Sequence, residues 1–293
     1  MKKTILIFFS IITFMTMISP HTAFAQTVES YQHRTPDNKT MTVYYVLLPN
    51  INKETRAVFV MHGVNRDGKT YANNFRTLPI VANVAVIVPE FNSDNFSANE
   101  YNLLNIRRSN SITPYSEWTF HHIDAIFNDF VRRFGLSCNT YILYGHSAGG
   151  QFTARASMFS KSQYLEYAIA ANPGNYTFFD ESRNYPNGIK NIISYKKDLL
   201  SSLSRRKLYI LIGNKDTDQN DPNLRRSYNE QGLHRYERAM NFFENSGNYA
   251  RQNNVNFNWE LTVMPGVGHN SSRTIPYVLD IITKQKGFYK YLE

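Results

Sequence analysis

Short β-branched runs alternating with helical stripes predict an α/β chain with an open, mostly parallel sheet and helices on both faces. Two observations carry this expectation. Residues 57–61 (AVFVM), 84–88 (VAVIV), 140–144 (TYILY) and 208–212 (LYILI) are apolar at consecutive positions, as in strands buried on both sides. Each run then breaks into a turn: His62-Gly63, Pro89-Glu90, Gly145-His146-Ser147 and Gly213. In such sheets the functional groups gather in loops at the carboxyl ends of the strands.

The remaining elements fit the same alternation. Residues 42–48 (TVYYVLL) form an early strand, 167–171 a run ending in Asn172-Pro173-Gly174, and 259–263 (WELTV) a run ending in Met264-Pro265-Gly266. Ile123, Ile126, Phe127, Phe130, Val131 and Phe134 recur at spacings of three and four, the stripe of a helix lying on a sheet. His121 and His122 at its start are expected to be solvated. Residues 233–244 and 275–283 are two further helical stretches. No internal repeat or linker follows residue 26, so residues 26–293 are expected to form a single domain, within the size range of one core.

Residues 1–25 have the three parts of a secretory leader. Lys2 and Lys3 precede an apolar stretch over residues 5–18, and Ala23-Phe24-Ala25 suits a signal peptidase cutting before Gln26. The alternative is an uncleaved anchor, for which the apolar run is short. The expected location is secreted or periplasmic, without stable membrane insertion after cleavage. Cys138 is the only cysteine, so no intramolecular disulfide staples the fold, and Cys138 is expected to be a small buried residue. The chain has 32 Lys and Arg against 23 Asp and Glu, a net charge of +9, which falls to +7 once Lys2 and Lys3 are removed. Its basic pairs are scattered rather than gathered on one element with interleaved aromatics, which argues against a nucleic-acid partner.

The chemistry is concentrated at Gly145-His146-Ser147-Ala148-Gly149, a G-x-S-x-G sequence set directly between a buried strand and a helical stretch. A turn this tight forces the serine into a strained conformation with its hydroxyl above the sheet. Gly145 and Gly149 let strand and helix approach closely, and the helix N-terminus favours developing negative charge. A serine is a poor nucleophile until a base, itself oriented by an acid, activates it.

With this elbow the chain resembles the α/β-hydrolase superfamily over most of its length after residue 26. Met61-His62-Gly63-Val64, Tyr101-Asn102-Leu103 and Asn214-Lys215-Asp216 resemble bacterial exported esterases related to polyhydroxybutyrate depolymerases and feruloyl esterases. The resemblance implies an α/β-hydrolase fold with a short cap insertion and a triad in the order serine, acid, histidine. Asp216, three residues past Gly213, matches the acid, with Asp218 as its rival and Asp221 behind it. His269 follows the last strand in a loop with Gly266 and Gly268, which would fold it back toward Ser147. His62 is expected to be structural, and His146 to point away from the serine side chain.

The resemblance also assigns an oxyanion hole to the amide of Ala148 and one from the 62–65 loop, at Val64 or alternatively Asn65. No cofactor or metal is expected. The Asp216-x-Asp218-x-Asn220 run lacks the glycine and glutamate of an EF-hand, although a looser ion site at Asp218 and Asp221 stays open. The insertion after residue 174 offers Tyr176, Phe178, Phe179 and Tyr185, which either line a substrate pocket or only pack the insertion onto the body. These readings together imply cleavage of small-molecule or polymeric carboxylic esters, with a peptidase or amidase and an inactive envelope-binding module as alternatives.

Overall fold

The computed structural model describes residues 26–284. The leader reading falls on residues 1–25 and lies outside the described residues.

Eight strands form one sheet: β1 (Glu29–Arg34), β2 (Thr40–Val46), β3 (Arg56–Met61), β4 (Val84–Glu90), β5 (Tyr141–His146), β6 (Leu165–Ala171), β7 (Lys207–Gly213) and β8 (Glu260–Met264). Their spatial order is β1-β2-β4-β3-β5-β6-β7-β8. The helices are α1 (Gly68–Asn74), α2 (Leu78–Ala82), α3 (Ala98–Asn102), α4 (His121–Phe134), α5 (Ala148–Phe159), α6 (Lys196–Arg205), α7 (Arg235–Gln252) and α8 (Ile275–Lys284).

From β4 through β8 every neighbouring pair is parallel. Successive side chains of a strand point to opposite faces. Ala57, Phe59 and Met61 therefore join the core beneath α4, α5, α6 and α7, while Val58 and Val60 join the core beneath α1, α2 and α8. Because both faces are covered, the central strands are apolar over most of their length, apart from polar residues such as Arg56, Glu166 and His146.

The early strand departs from this picture. β2 pairs antiparallel with β4 and with β1, and only Met41, Val43 and Val46 along it are fully buried. The expectation that every run is a parallel strand buried on both faces fails here. β1 (ESYQHR) is a polar edge strand that the hydrophobic pattern does not mark, because one side of it meets solvent.

Register fixes what the sheet presents. Met61 lies opposite Gly145, His146 opposite Ala171, and Met264 opposite Gly213. The carboxyl ends of β3, β5, β6, β7 and β8 are thus level across the sheet. The loops beginning at His62, Ser147, Asn172, Asn214 and Pro265 all rise from that one edge.

Candidate active site

Ser147 stands between β5 and α5 with φ 57° and ψ −115°, a left-handed conformation that a non-glycine residue adopts only under constraint. The constraint is visible in its neighbours. The Ser147 amide donates to the Ala171 carbonyl at 3.0 Å, and its carbonyl accepts from the Gln151 amide at 3.0 Å. A Cβ on Gly145 would lie 2.1 Å from the Gly149 carbonyl oxygen, and one on Gly149 would lie 2.1 Å from that of Met61. Strand and helix meet backbone to backbone, so only glycine fits at either position.

His269 reaches this serine from the loop after β8, where Gly266 has φ +70°. Its Nε2 lies 2.9 Å from Ser147 Oγ, and its Nδ1 lies 2.8 Å from Asp216 Oδ2. Burial raises the proton affinity of Asp216. Hydrogen bonds from His269 and Asn172, with the charges of His269 and Arg235, outweigh it and bring the carboxyl below its ordinary range. An ionised carboxylate only accepts, so Nδ1 carries the proton and Nε2 is left to accept from the serine hydroxyl.

Asp218, the rival acid, is exposed and accepts from the Asn220 amide at 2.8 Å, closing its own turn. Asp221 is engaged differently, accepting from Arg235 Nη1 at 2.7 Å. Among the described residues no group of three or more His, Cys, Asp and Glu side chains is placed to hold a metal ion.

Several supporting residues have no obvious mark in the sequence. Asn172, at φ 48° just past β6, donates to Asp216 Oδ2 at 2.6 Å. Arg235, buried at the start of α7, donates through Nη1 to Asp216 Oδ1 at 3.3 Å as well as to Asp221. The His146 ring packs 4.8 Å from that of His269, with its Nδ1 3.1 Å from the Tyr71 hydroxyl. Burial, with the charge of His269, holds His146 well below the usual imidazole range, so it packs as a neutral ring. The only early signal for Asn172 is its place at a strand's carboxyl end. Arg235 lies 19 residues from Asp216 on another element, beyond the reach of local pattern.

Ser147 opens onto a cleft of about 540 Å³ whose walls include Val64, Asn65, Ala148 and Gln151. Among the described residues, the amides of Val64 and Ala148 have no protein acceptor. Ala148 is the first residue of α5, where an unpaired amide is expected. Tyr176 and Phe178, expected as possible pocket walls, do not line this cleft. Tyr176 is fully buried with its ring stacked 4.3 Å from Phe242, and Phe178 packs on the same ring at 5.8 Å. Phe179 stacks on Tyr249, and the Tyr185 hydroxyl donates to the Leu103 carbonyl. Of the insertion only Asn175 lines the cleft, beside Gly174 just before it, while Tyr176, Phe178 and Phe179 pack against α7.

No family model and no curated protein matches the chain. Among solved structures it is similar to a poly(aspartic acid) hydrolase from Sphingomonas sp. KT-1, at 30% identity over 88% of this chain and 99% of that one, with a TM-score of 0.83. A poly(3-hydroxybutyrate) depolymerase from Bordetella parapertussis shares the fold with a TM-score of 0.81, at 23% identity over 90% of this chain and 93% of that one. A fluorophosphonate-binding serine hydrolase from Staphylococcus aureus shares it at a TM-score of 0.56 and 17% identity, over 88% of this chain and 98% of that one. Sheet order, elbow and likeness together define one class, and the chain belongs to the α/β-hydrolase superfamily. It is an enzyme, a hydrolase.

Proposed function

We propose that the protein hydrolyses carboxylic esters through an acyl-Ser147 intermediate, with His269 as base and Asp216 as the acid that orients it. The observation that carries this reading is the unbroken relay from Ser147 Oγ through His269 to Asp216, at 2.9 and 2.8 Å. His269 Nε2 takes the serine proton as Oγ bonds to the ester carbon. The carbonyl oxygen becomes an oxyanion facing the amides of Val64 and Ala148, each worth about 3 kcal/mol to the transition state. Collapse of this intermediate breaks the ester C–O bond, and His269 passes its proton to the departing alcohol. A water, deprotonated by His269, then attacks the acyl carbon and releases acid and free serine.

A cleft of about 540 Å³ suits short acyl groups or the end of a polymer chain rather than a long fatty chain. Labelling with a fluorophosphonate probe tests the nucleophile. Wild-type protein is expected to label at Ser147, and Ser147→Ala to lose both labelling and several orders of magnitude in turnover. A Ser147→Ala protein that still labels removes this residue from the mechanism.

A second reading is favoured by the charge of the cleft. Arg66 and Arg225 line it beside Arg235, whose own charge is met by Asp216 and Asp221, and no Asp or Glu lines it. Such a surface suits a substrate bearing carboxylates. The poly(aspartic acid) hydrolase to which the chain is similar points to an amide-linked example. The same relay serves amides, so oligo-aspartate and carboxylate-bearing esters belong beside neutral esters in the substrate panel.

For location, we read residues 1–25 as a leader that directs export, to a secreted or periplasmic destination. Mature protein is then expected to begin at Gln26, and N-terminal sequencing that finds Met1 on exported material overturns this. Among the described residues no helix is long and apolar enough to cross a membrane.

A further inference from the structure

Behind the acid of the relay lies a second ion pair that the mechanism above does not use. Arg235 is 1% exposed, yet its Nη1 is shared between Asp216 Oδ1 at 3.3 Å and Asp221 Oδ2 at 2.7 Å. Its buried Nε has no hydrogen-bond partner, so the guanidinium is held by these two carboxylates alone among side chains of the described residues. Asp221 itself is oriented by the Asn223 amide, which donates to its other oxygen at 2.7 Å. A buried cation on the far side of a triad acid poses a problem. It stabilises the carboxylate, but it opposes the positive charge that the imidazole must carry when it takes the serine proton.

We propose that Asp221 and Arg235 form a charge-compensating pair behind Asp216, making both of them positioning residues that set the pH at which His269 becomes competent. This inference rests on the Ser147–His269–Asp216 reading. Two carboxylates and one guanidinium leave a single net negative charge beside the imidazole, the same as a lone triad aspartate would supply. Arg235 meanwhile clamps the oxygen of Asp216 that His269 does not use, and so fixes the plane of the carboxylate.

The other groups packed around His269 do not take over this balance. His146 stacks on it as a neutral ring, with the Tyr71 hydroxyl beyond, and Ser147 is uncharged in the resting enzyme. His269 is among the influences that, against burial, bring the Asp221 carboxyl below its ordinary range, behind the hydrogen bonds from Arg235 and the Asn223 amide.

The pair makes a prediction with two signs. Asp221→Asn leaves Arg235 uncompensated, disfavours the imidazolium and moves the acid limb of kcat/KM to lower pH. Arg235→Gln removes the cation, leaves both carboxylates and moves that limb to higher pH. A displacement of about half a pH unit or more is expected in each direction, small for a charge this close because water reaches the cleft. The double variant restores the net charge and is expected to return the limb to within ~0.2 units of wild type, although kcat stays low because the clamp on Asp216 is gone.

The measurement is kcat/KM against pH on a neutral ester, p-nitrophenyl acetate, which reports the free enzyme, with fluorophosphonate labelling of Ser147 in the same preparations. Opposite displacements with return in the double variant support the pair. Limbs that coincide with wild type, or that move the same way in both single variants, overturn it. Equally, Arg235→Gln that raises KM only for a carboxylate-bearing ester, with the limb on the neutral ester unmoved, makes Arg235 a substrate anchor and overturns the pair. Should Arg235→Gln fail to fold, Asp221→Asn decides the matter alone through the direction of its displacement. Failure of the triad reading is distinguishable, because it shows as a Ser147→Ala protein that keeps turnover or labelling whatever the limbs do.

Discussion

His62 shows how one side chain serves the site without joining the chemistry. Its Nδ1 donates to the Gly63 carbonyl at 3.0 Å and its Nε2 accepts from the Phe91 amide at 3.0 Å, an assignment that fixes the neutral tautomer. Burial holds it down to about 4, so it stays uncharged at neutral pH and braces the loop that presents Val64. Asp216 and Asp218 sit two residues apart with different surroundings, and this separates their mutants. Asp216→Asn is expected to lower kcat by about three to four orders of magnitude, because an amide does not hold the required tautomer of His269. Asp218→Asn is expected to change it by no more than about twofold, since this exposed carboxylate closes only a local turn. Steady-state kinetics on folded variants check the ranking, and the reverse order moves the role to Asp218. Asn172→Ala removes a hydrogen bond to Asp216 Oδ2 and is expected to cost about tenfold in kcat, the loss of one bond to a charged group. An effect on thermal stability without any on kcat would make Asn172 a structural residue only.

At the scale of elements, the elbow and the insertion differ in what their residues do. A methyl on Gly149 would meet the Met61 carbonyl oxygen at 2.1 Å, so α5 could not seat against β3. Gly149→Ala is therefore expected to destabilise the fold by at least about 2–3 kcal/mol, an overpacking cost, or to prevent soluble expression. A normal melting temperature would mean that the elbow is looser than the contact requires. Tyr176 lies in the core on Phe242 rather than in the cleft, so Tyr176→Ala is expected to cost about 3–5 kcal/mol while leaving the ranking of acyl lengths unchanged. Denaturant unfolding beside an acetyl-to-palmitoyl ester panel measures both, and an altered ranking at wild-type stability returns Tyr176 to the substrate. The helix stripe of α4 was legible, with Ile123, Ile126, Phe127 and Phe130 fully or nearly fully buried, whereas His122 was not. Expected in solvent, it packs between Phe91 and Phe96, because the loop between β4 and α3 and the turn around Asp37 close over it.

The whole molecule couples these histidines to pH. Burial is the main cause that holds His62 and His122 down to about 4 and His146 well below its ordinary range, while an unfolded histidine titrates near 6.5. Between those values the unfolded chain binds more protons than the folded one, so stability falls as pH falls. Each such histidine contributes up to roughly 1.4 kcal/mol per pH unit through that window. Below it, carboxyls held under their ordinary range, Asp216 and Asp221 among them, lose their contribution as they protonate. The urea midpoint is expected to drop clearly from pH 7 to pH 5 and further toward pH 4. A midpoint flat across that interval would contradict the burial of these neutral rings.

The sequence by itself determined the α/β alternation, the elbow and the chain order of Ser147, Asp216 and His269. Each depends on local signals: consecutive apolar residues, glycines that permit a close approach, and polar residues placed just past a strand. What surrounds the acid was decided only by the tertiary structure. Asn172 and Arg235 reach Asp216 from β6 and α7, across sequence separations of 44 and 19 residues. The placing of Tyr176 was decided there too, since an aromatic side chain suits a core and a pocket wall equally until its neighbours are known. The physical reason is that periodicity and turn chemistry act over a few residues. Charge compensation and burial depend on which distant segments the sheet brings to the same edge.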